Sequence, residues 1–216
     1  MKHIPTQKEL VYEQIKRAII FGEIKPGDIL KEIELSQMYN VGKTPIREAL
    51  IILVHENYLK TIPRAGYVVI APAVKDIMEM FHLRVVLEVE AVGQSVDRLS
   101  DQDIFNLIDH CREEKNLYEN NDKESIREPG YQMNQAFHMA IAHGSGNTRL
   151  EKIVQQLMLE LQRVLFNDPK LIEPTLVDHT QHEQILQYML KRDKLKAQEA
   201  MRNHIEETRN RVVNRF

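Results

Sequence analysis

The sequence predicts a mainly α-helical protein made of two parts. Residues 1–72 are expected to form a winged helix-turn-helix, and residues 73–216 a six-helix antiparallel bundle. Apolar residues recur at helical spacing through most of the 216-residue chain. Two β-branched runs, at 58–62 and 67–70, flank a short turn and indicate a hairpin. Four of the eight glycines precede residue 72, so short elements are expected first and long helices afterwards.

The composition excludes several classes of protein. Hydrophobic residues make up 43% and charged residues 28% of the chain, which is typical of a soluble, helix-rich globular protein. The longest apolar runs fall far short of the ~18 residues that a membrane-spanning helix needs. Charged residues near the start argue against a secretion signal. The single Cys111 excludes an internal disulfide and fits a reducing compartment, so we expect a cytoplasmic protein.

The first part is predicted helix by helix. The first helix ends at Gly22, and its apolar face consists of Val11, Ile15, Ala18 and Ile19. A short second helix is expected at 33–39. The third helix is expected to use Thr44 as N-cap and Pro45 as its first residue. Its apolar face leaves Arg47 exposed and consists of Ile46, Ala49, Leu50 and Leu53.

A hairpin with Arg64 in its turn follows the third helix. Residues 1–72 hold 10 Lys and Arg against 8 Asp and Glu, whereas residues 73–216 hold 19 against 24. This excess of positive charge is small, but Lys43 and Arg64 lie at the two places where a winged helix contacts DNA. The alternative is a small α+β domain with no role in DNA binding.

The second part is predicted to contain six helices joined by short connections. They are expected at 75–99, 101–120, 129–143, 148–166, 175–191 and 193–214. Ser100 and Asp103 resemble a capping box at the start of the second of these helices. Short connections between successive helices favour an antiparallel bundle.

Several polar residues lie on the apolar faces of these helices. Arg84 and Glu88 share one face with Ile77, Met80 and Phe81. A charged pair on a buried face costs desolvation energy, so it predicts either an internal salt bridge or a ligand contact. Three later helices place further polar side chains on their apolar faces: Asn134, His138, His179, His182 and His204.

The inward histidines indicate a shared ligand. Buried imidazoles need polar partners, and one metal ion satisfies several of them at once. Three neutral imidazoles suit zinc or nickel better than calcium or magnesium. The alternative is a set of unrelated core histidines, each with its own hydrogen bond. The remaining histidines are interpreted as surface residues: His3, His55, His82, His110 and His143.

Two sets of motifs follow one another along the chain. Residues 27–30 (Gly-Asp-Ile-Leu), 44–50 (Thr-Pro-Ile-Arg-Glu-Ala-Leu) and 63–66 (Pro-Arg-Ala-Gly) occupy the first part. The second part holds Leu-Arg at 83–84, Phe-His at 137–138, Ser-Gly-Asn at 145–147 and a Met-to-His segment at 201–204. This pattern resembles the GntR family of transcription regulators, in its FadR-like branch with an FCD effector domain.

The resemblance implies a dimeric, sequence-specific repressor that binds a palindromic operator. Its DNA binding would be modulated by a small carboxylate bound near a metal ion in the helical part. The residues implied for DNA binding are Lys43, Thr44, Arg47, Arg64 and Gly66. The residues implied for the metal ion are Asn134, His138, His182 and His204. The effector would be bound by Arg84 and Glu88, with His179 nearby.

The chain departs from the family pattern at four positions. Gly42 stands where Ser or Thr is usual, which removes one phosphate contact. Lys43 replaces an Arg whose fork reads guanine, and Ile33 stands where some relatives carry a DNA-contacting Arg. Asn134 occupies the usual Asp position of the metal motif. An amide oxygen can bind a metal ion but adds no charge, so the affinity is lower or the preferred ion differs.

Two other functions compete with this interpretation. Three inward histidines with an open coordination position could activate water in a metal-dependent hydrolase. That reading lacks an evident carboxylate to act as general base, and a winged helix is superfluous to hydrolysis. A purely structural helical bundle is the third possibility.

Overall fold

The structure is a computed structural model and describes residues 5–121, 125, 127–167 and 178–215. The chain divides into two compact units, Met1–Ala73 and Val74–Phe216. The predicted fold class is confirmed, because the described residues form nine helices and one small three-stranded sheet. Among these residues, no helix combines the length and the apolar character needed to cross a membrane.

The first unit contains three helices and the sheet. Its helices are α1 (Gln7–Ile20), α2 (Glu32–Tyr39) and α3 (Lys43–His55), and its strands are β1 (Ile29–Leu30), β2 (Leu59–Ile62) and β3 (Gly66–Val69). The strands pair antiparallel in the order β1-β3-β2, with Val68 opposite both Ile29 and Lys60. Helix α1 packs on α3, and Ile15, Ile19, Ile46 and Leu50 are fully buried between them.

The start of α3 differs from the prediction. The helix begins at Lys43 with Gly42 as N-cap, two residues before the expected cap at Thr44. Proline fits the third position of a helix as well as the first, since the first N–H groups have no partner inside the helix. Pro45 therefore marked the first turn correctly but not the first residue. Asn40 ends α2 in the left-handed conformation and allows the tight turn into α3.

The hairpin between β2 and β3 depends on Gly66. This residue has a φ of +119°, and a Cβ atom placed on it would lie 2.4 Å from the carbonyl oxygen of Leu30. Glycine is therefore required by the backbone conformation and by the close approach of β1. Arg64 adopts a positive φ of 63° in the turn and is exposed.

The second unit is a bundle of six helices built around α4. Its helices are α4 (Val74–Ser95), α5 (Asp101–Asn120), α6 (Arg127–Gly144), α7 (Thr148–Asn167), α8 (Asp178–Leu190) and α9 (Lys194–Val213). Helix α4 packs against α6, α7 and α9, while α5 packs against α6 and α8. The interior of the bundle thus receives side chains from α4, α6, α8 and α9, which positions the candidate site.

The predicted ends of the bundle helices compare differently with the structure. Helix α4 ends at Ser95 rather than near residue 99, and the buried Ser95 hydroxyl shares its one proton between the carbonyl oxygens of Ala91 and Ile141. The expected start of the helix at 175–191 lies outside the described residues. The capping box of Ser100 and Asp103 is confirmed at the start of α5.

Candidate metal centre and nucleic-acid interface

The N-terminal part of α3 carries three of the residues predicted to bind DNA. Lys43, Thr44 and Arg47 are all exposed, whereas Ile46 and Ala49 turn into the core. Because Gly42 caps the helix without a side chain, the N–H groups of the first turn face outwards with the positive end of the helix dipole. This arrangement suits phosphate and base contacts.

Arg47 is held by a residue that the sequence did not single out. Its Nε donates to Oε1 of Glu32 at 2.9 Å, and its Nη2 donates to Oε2 at 2.7 Å. These hydrogen bonds from Arg47 lower the pKa of the Glu32 carboxyl. Glu32 is the first residue of α2 and lies 15 positions before Arg47, so no helical periodicity connects the two.

Strand β3 of the wing contacts α2 through a residue that was not predicted to belong to the interface. Gly66 begins β3, and the next residue, Tyr67, places its hydroxyl 3.4 Å from Oε1 of Glu32. Arg64 remains exposed in the turn. The sequence therefore identified the exposed cations of this surface but missed Glu32 and Tyr67, which organise it.

The bundle interior brings three of the predicted metal ligands together. His138 on α6, His182 on α8 and His204 on α9 are at most 2% exposed. The Nε2 atom of His204 lies 3.3 Å from Nε2 of His138 and 3.3 Å from Nε2 of His182. The ligand atoms of the three rings all lie within 4.8 Å of one another. Three separate helices thus aim their Nε2 atoms at one point.

Each of the three rings faces an oxygen atom on its other nitrogen. Nδ1 of His138 lies 2.5 Å from Oε2 of Glu88, and Nδ1 of His204 lies 2.9 Å from Oε1 of Gln181. Nδ1 of His182 lies 3.7 Å from the buried carboxylate of Glu114. Oxygen atoms within hydrogen-bond distance of Nδ1 assign the ring protons of His138 and His204 to that atom, so the Nε2 atoms of these two rings carry lone pairs.

This donor set fits a transition-metal ion. The Nε2 lone pairs of His138 and His204 face one another at 3.3 Å and repel unless a cation lies between them. A Zn–N distance of about 2.0–2.1 Å would place two nitrogens of a tetrahedral site about 3.3 Å apart, which matches the observed separations. Carboxylates and amides that orient metal-bound imidazoles through Nδ1 are typical of metal sites in proteins.

The protonation states agree with the same interpretation. Burial lowers the pKa of His138 to about 4 although the Glu88 carboxylate opposes this shift. Burial, with the neighbouring His182 and His138, also lowers the pKa of His204 well below its ordinary value. Neutral imidazole is the form that binds metal ions. His138 and His204 are therefore both held as neutral imidazoles, which is the form that a metal site requires.

Arg84 and Glu88 form an ion pair inside α4, one turn apart. Nε of Arg84 donates to Oε1 of Glu88 at 2.6 Å, and both side chains are at most 2% exposed. Burial by itself would raise the pKa of Glu88, but Arg84 and His138 outweigh it and lower this pKa to about 2. Nη2 of Arg84 lies 3.4 Å from the ring of His138. Both members of the predicted effector pair thus adjoin the histidine cluster.

The other two predicted site residues are less defined. Asn134 is 6% exposed and lies one helical turn before His138 on α6, so its position on the helix agrees with a place beside that ligand. His179 lies in α8, but its side chain is outside the described part of the chain.

Sequence reasoning assigned no role in the site to three residues that shape the cluster. Glu114 continues the buried face of α5 formed by Ile104, Ile108 and Cys111, so the search for polar residues on apolar faces would have found it. Phe137 stacks on the ring of His182 with centroids 3.9 Å apart and planes 16° from parallel. Gln181 gave no signal, because a glutamine beside a histidine is ordinary on a half-exposed helix.

The carboxylates near the histidines do not serve a hydrolase. We expected no carboxylate placed as a general base; Glu88 and Glu114 do approach the cluster, but they face Nδ1 atoms, away from the Nε2 atoms. Glu88 is also paired with Arg84. A base must reach the reacting water, which the Nε2 side would hold. The geometry thus gives the hydrolase alternative no support.

Comparison with known proteins identifies both units. Residues 7–69 match the family described as "Bacterial regulatory proteins, gntR family", and residues 79–207 match the FCD domain. The chain is 29% identical over 192 residues to the HTH-type transcriptional regulator McbR of Escherichia coli K12. The matched region covers 88% of this chain and 85% of McbR. It is 26% identical over 202 residues to the repressor GlaR of the same organism, and this match covers 90% of each protein.

Solved structures share the fold. The structure of E. coli McbR/YncC superposes with a TM-score of 0.77, covers 98% of this chain and 99% of that one, and is 23% identical. A transcriptional regulator from Rhodococcus sp. RHA1 also has a TM-score of 0.77, with 98% and 100% coverage and 18% identity. The metal-dependent hydrolase alternative has no counterpart in these matches, which are regulators rather than enzymes.

Proposed function

We propose, since the chain belongs to the GntR family of bacterial regulatory proteins and carries the FCD domain, that it is a dimeric repressor whose operator binding responds to a small organic acid. The acid would bind beside a divalent metal ion in the helical unit. The observation that carries this proposal is the buried histidine cluster with an arginine beside it. A buried cation next to neutral imidazoles is an arrangement suited to an anion.

The DNA would be contacted by α3 and by the wing. Lys43 and Thr44 lie at the N-terminus of α3, where phosphate oxygens are stabilised by backbone N–H groups and the helix dipole. Arg47 lies one turn later on the exposed face and is suited to base edges in the major groove. Arg64 in the wing turn would reach the neighbouring backbone or groove.

The metal ion would be held by His138, His182 and His204, with Asn134 as a further ligand. A bound zinc or nickel ion supplies a Lewis-acid centre for a carboxylate oxygen. The chain's own residues do the remaining work. Glu88 and Gln181 keep the proton of their imidazole partners on Nδ1, and Phe137 fixes the plane of His182 by stacking.

The acid would be bound by Arg84. Its guanidinium has five N–H donors, so it can hold Glu88 through Nε and an incoming carboxylate through its terminal nitrogens. A groove of about 380 Å³ between α8 and α9 reaches His204 and offers space for a small molecule.

Dimerisation is supported by an exposed apolar stripe on α4. Met78, Leu83 and Val86 are 42–53% exposed on the side of the helix opposite the buried Arg84 and Glu88. Exposed apolar stripes of this kind mark interaction surfaces. Two copies related by a two-fold axis would place two α3 helices on the half-sites of a palindrome.

Selection of duplexes from a random-sequence library tests the DNA-binding part. Wild-type protein is expected to enrich a palindrome, and Arg47→Ala should weaken binding by about 1–3 kcal/mol and relax one base position per half-site. Arg202→Ala, which removes an exposed arginine from α9, serves as the charge control. Failure of wild-type protein to enrich any motif, or light scattering that shows only monomers with DNA, would contradict the proposal. A reporter gene with the selected duplex in its promoter tests repression: its expression should fall when the protein is present.

Thermal unfolding with added zinc or nickel tests the metal part. An ion at about 100 times its Kd stabilises the folded state by about 2.7 kcal/mol. His182→Ala should lose most of this gain, whereas His143→Ala, which removes an exposed histidine paired with Glu151, should keep it. Equal gains in the two variants would favour unrelated core histidines.

The effector part is tested by titrating mono-, di- and hydroxycarboxylates in the presence of metal, with and without the selected duplex. An acid that binds should change operator affinity, and the operator should change acid affinity by the same factor. Arg84→Lys keeps the charge but loses the planar fork, so it should bind the acid more weakly. An acid that binds wild type and this variant equally well would exclude Arg84 as its ligand.

A further inference from the structure

The exposed arginine of the recognition helix is already fixed in the protein alone. Two parallel hydrogen bonds join Arg47 to Glu32, one from Nε at 2.9 Å and one from Nη2 at 2.7 Å. The arginine side chain is 59% exposed, whereas the glutamate side chain is only 21% exposed. The contact is therefore a bidentate pair anchored on the glutamate side.

Three features hold the Glu32 carboxylate in place. It is the first residue of α2, where the helix dipole favours a negative charge. The Tyr67 hydroxyl of β3 lies 3.4 Å from Oε1, and Lys43 at the start of α3 attracts the same carboxylate. Glu32 is thus joined to three elements of the winged helix: its own helix, the recognition helix and the wing strand.

The pair leaves a defined part of the guanidinium for a ligand. Glu32 occupies the edge formed by Nε and Nη2, so the edge formed by Nη1 and Nη2 keeps the donors that two parallel bonds need. Guanine presents two acceptors, N7 and O6, at the spacing that such an edge matches. An arginine fixed on one edge loses less conformational freedom when its other edge binds.

We propose that Glu32 is a positioning residue that makes Arg47 selective for guanine. This inference rests on the proposed function of α3 as the recognition helix. The fixed edge presents one orientation of Arg47 to the bases. The negative charge of Glu32 also opposes contact between Arg47 and phosphate, because a phosphate at that place would meet the carboxylate. Glu32 therefore lowers non-specific affinity and raises discrimination between bases.

Selection from a random-sequence duplex library, followed by Kd measurements on selected and scrambled duplexes, tests the proposal. Glu32→Gln removes the charge at nearly constant size, and Glu32→Ala removes the contact altogether. Glu34→Gln is the matched control, since Glu34 lies on the same helix, pairs with Lys31 at 2.8 Å and is exposed. Arg47→Ala identifies the base position that the arginine reads. Thermal unfolding checks that each variant is folded.

We expect both Glu32 variants to lose about tenfold in base preference at the position that Arg47→Ala relaxes, and to keep the preferences elsewhere. Their affinity for scrambled duplex should stay equal or increase, and Glu34→Gln should keep the wild-type preference. Combined with Arg47→Ala, Glu32→Gln should have no further effect at that position. Wild-type preference in both Glu32 variants, or equal losses in Glu32→Gln and Glu34→Gln, would overturn the positioning role and leave the proposed function intact. A wild-type protein that enriches no motif would instead overturn the proposed function, and this inference with it.

Discussion

Replacing Glu88 by glutamine should destabilise the helical unit strongly. The Glu88 carboxylate is 1% exposed, and its two oxygens lie 2.6 Å from Nε of Arg84 and 2.5 Å from Nδ1 of His138. Glutamine keeps the shape and one acceptor oxygen but removes the negative charge. The Arg84 guanidinium, itself 1% exposed, is then left in the interior without its counter-ion.

The structure sets the size of this effect. Removing one partner of a buried ion pair costs about 3–5 kcal/mol, because the remaining charge stays desolvated. For a unit of about 150 residues, each kcal/mol shifts Tm by about 2–4 °C, so a decrease on the order of 10 °C is expected. The buried arginine dominates this cost, since the hydrogen bond to His138 alone would contribute about 1 kcal/mol.

Urea and thermal unfolding in the presence of a chelator measure the effect without metal binding. Glu79→Gln is the control, because Glu79 lies on the same helix and faces Lys75 at 3.6 Å with its side chain 65% exposed. That variant should change stability by less than about 0.5 kcal/mol. The double variant Arg84→Met, Glu88→Leu should be less destabilised than Glu88→Gln, since it leaves no unpaired charge. A Glu88→Gln protein within about 1 kcal/mol of wild type would refute the reasoning.

Two further predictions concern single residues. Gly66→Ala should lower the free energy of unfolding clearly more than Gly27→Ala. Gly27 has a φ of +92° with no atom within 4 Å of an added Cβ, whereas a Cβ on Gly66 would also lie 2.4 Å from the carbonyl oxygen of Leu30. Equal losses in urea unfolding would show that β1 shifts to make room for the added methyl group. Asn134→Asp should lower Tm in the presence of a chelator and increase the rise in Tm on adding zinc, because a buried carboxylate is costly without a cation and favourable with one. An unchanged zinc response by thermal shift would show that residue 134 does not bind the metal ion.

Much of the fold could be predicted because the helices bury one face each. The apolar positions of α1, α3 and α4 follow the helical period, and a period can be found in a single sequence. Strand β1 escaped prediction because its two residues are too short for any period. The start of α3 was misplaced because proline satisfies several positions of a first turn equally well.

The candidate site residues could be predicted where they lie on the apolar faces of helices. His138, His182 and His204 were found because each stands on an apolar face, where a polar side chain is conspicuous. The Glu32–Arg47 pair escaped because it joins an exposed and a half-buried residue of two different helices, and neither residue belongs to an apolar face whose period the sequence shows. Contacts between elements depend on the packing of the chain, which local spacing does not contain.

The contacts around Glu88 also bear on how metal and acid would influence one another. One carboxylate receives Nε–H of Arg84 on one oxygen and Nδ1–H of His138 on the other. An acid that draws Arg84 towards itself leaves the negative charge of Glu88 less neutralised. The Glu88 carboxylate then accepts a stronger hydrogen bond from Nδ1–H of His138. A stronger acceptor at Nδ1 makes Nε2 of His138 a better metal donor. Acid and metal should therefore increase each other's affinity by the same factor, and part of this effect should pass through Glu88. In Glu88→Gln the neutral side chain cannot transmit that part, so the gain in metal affinity on adding acid should be smaller than in wild type. A gain equal to that of wild type would contradict the role of Glu88.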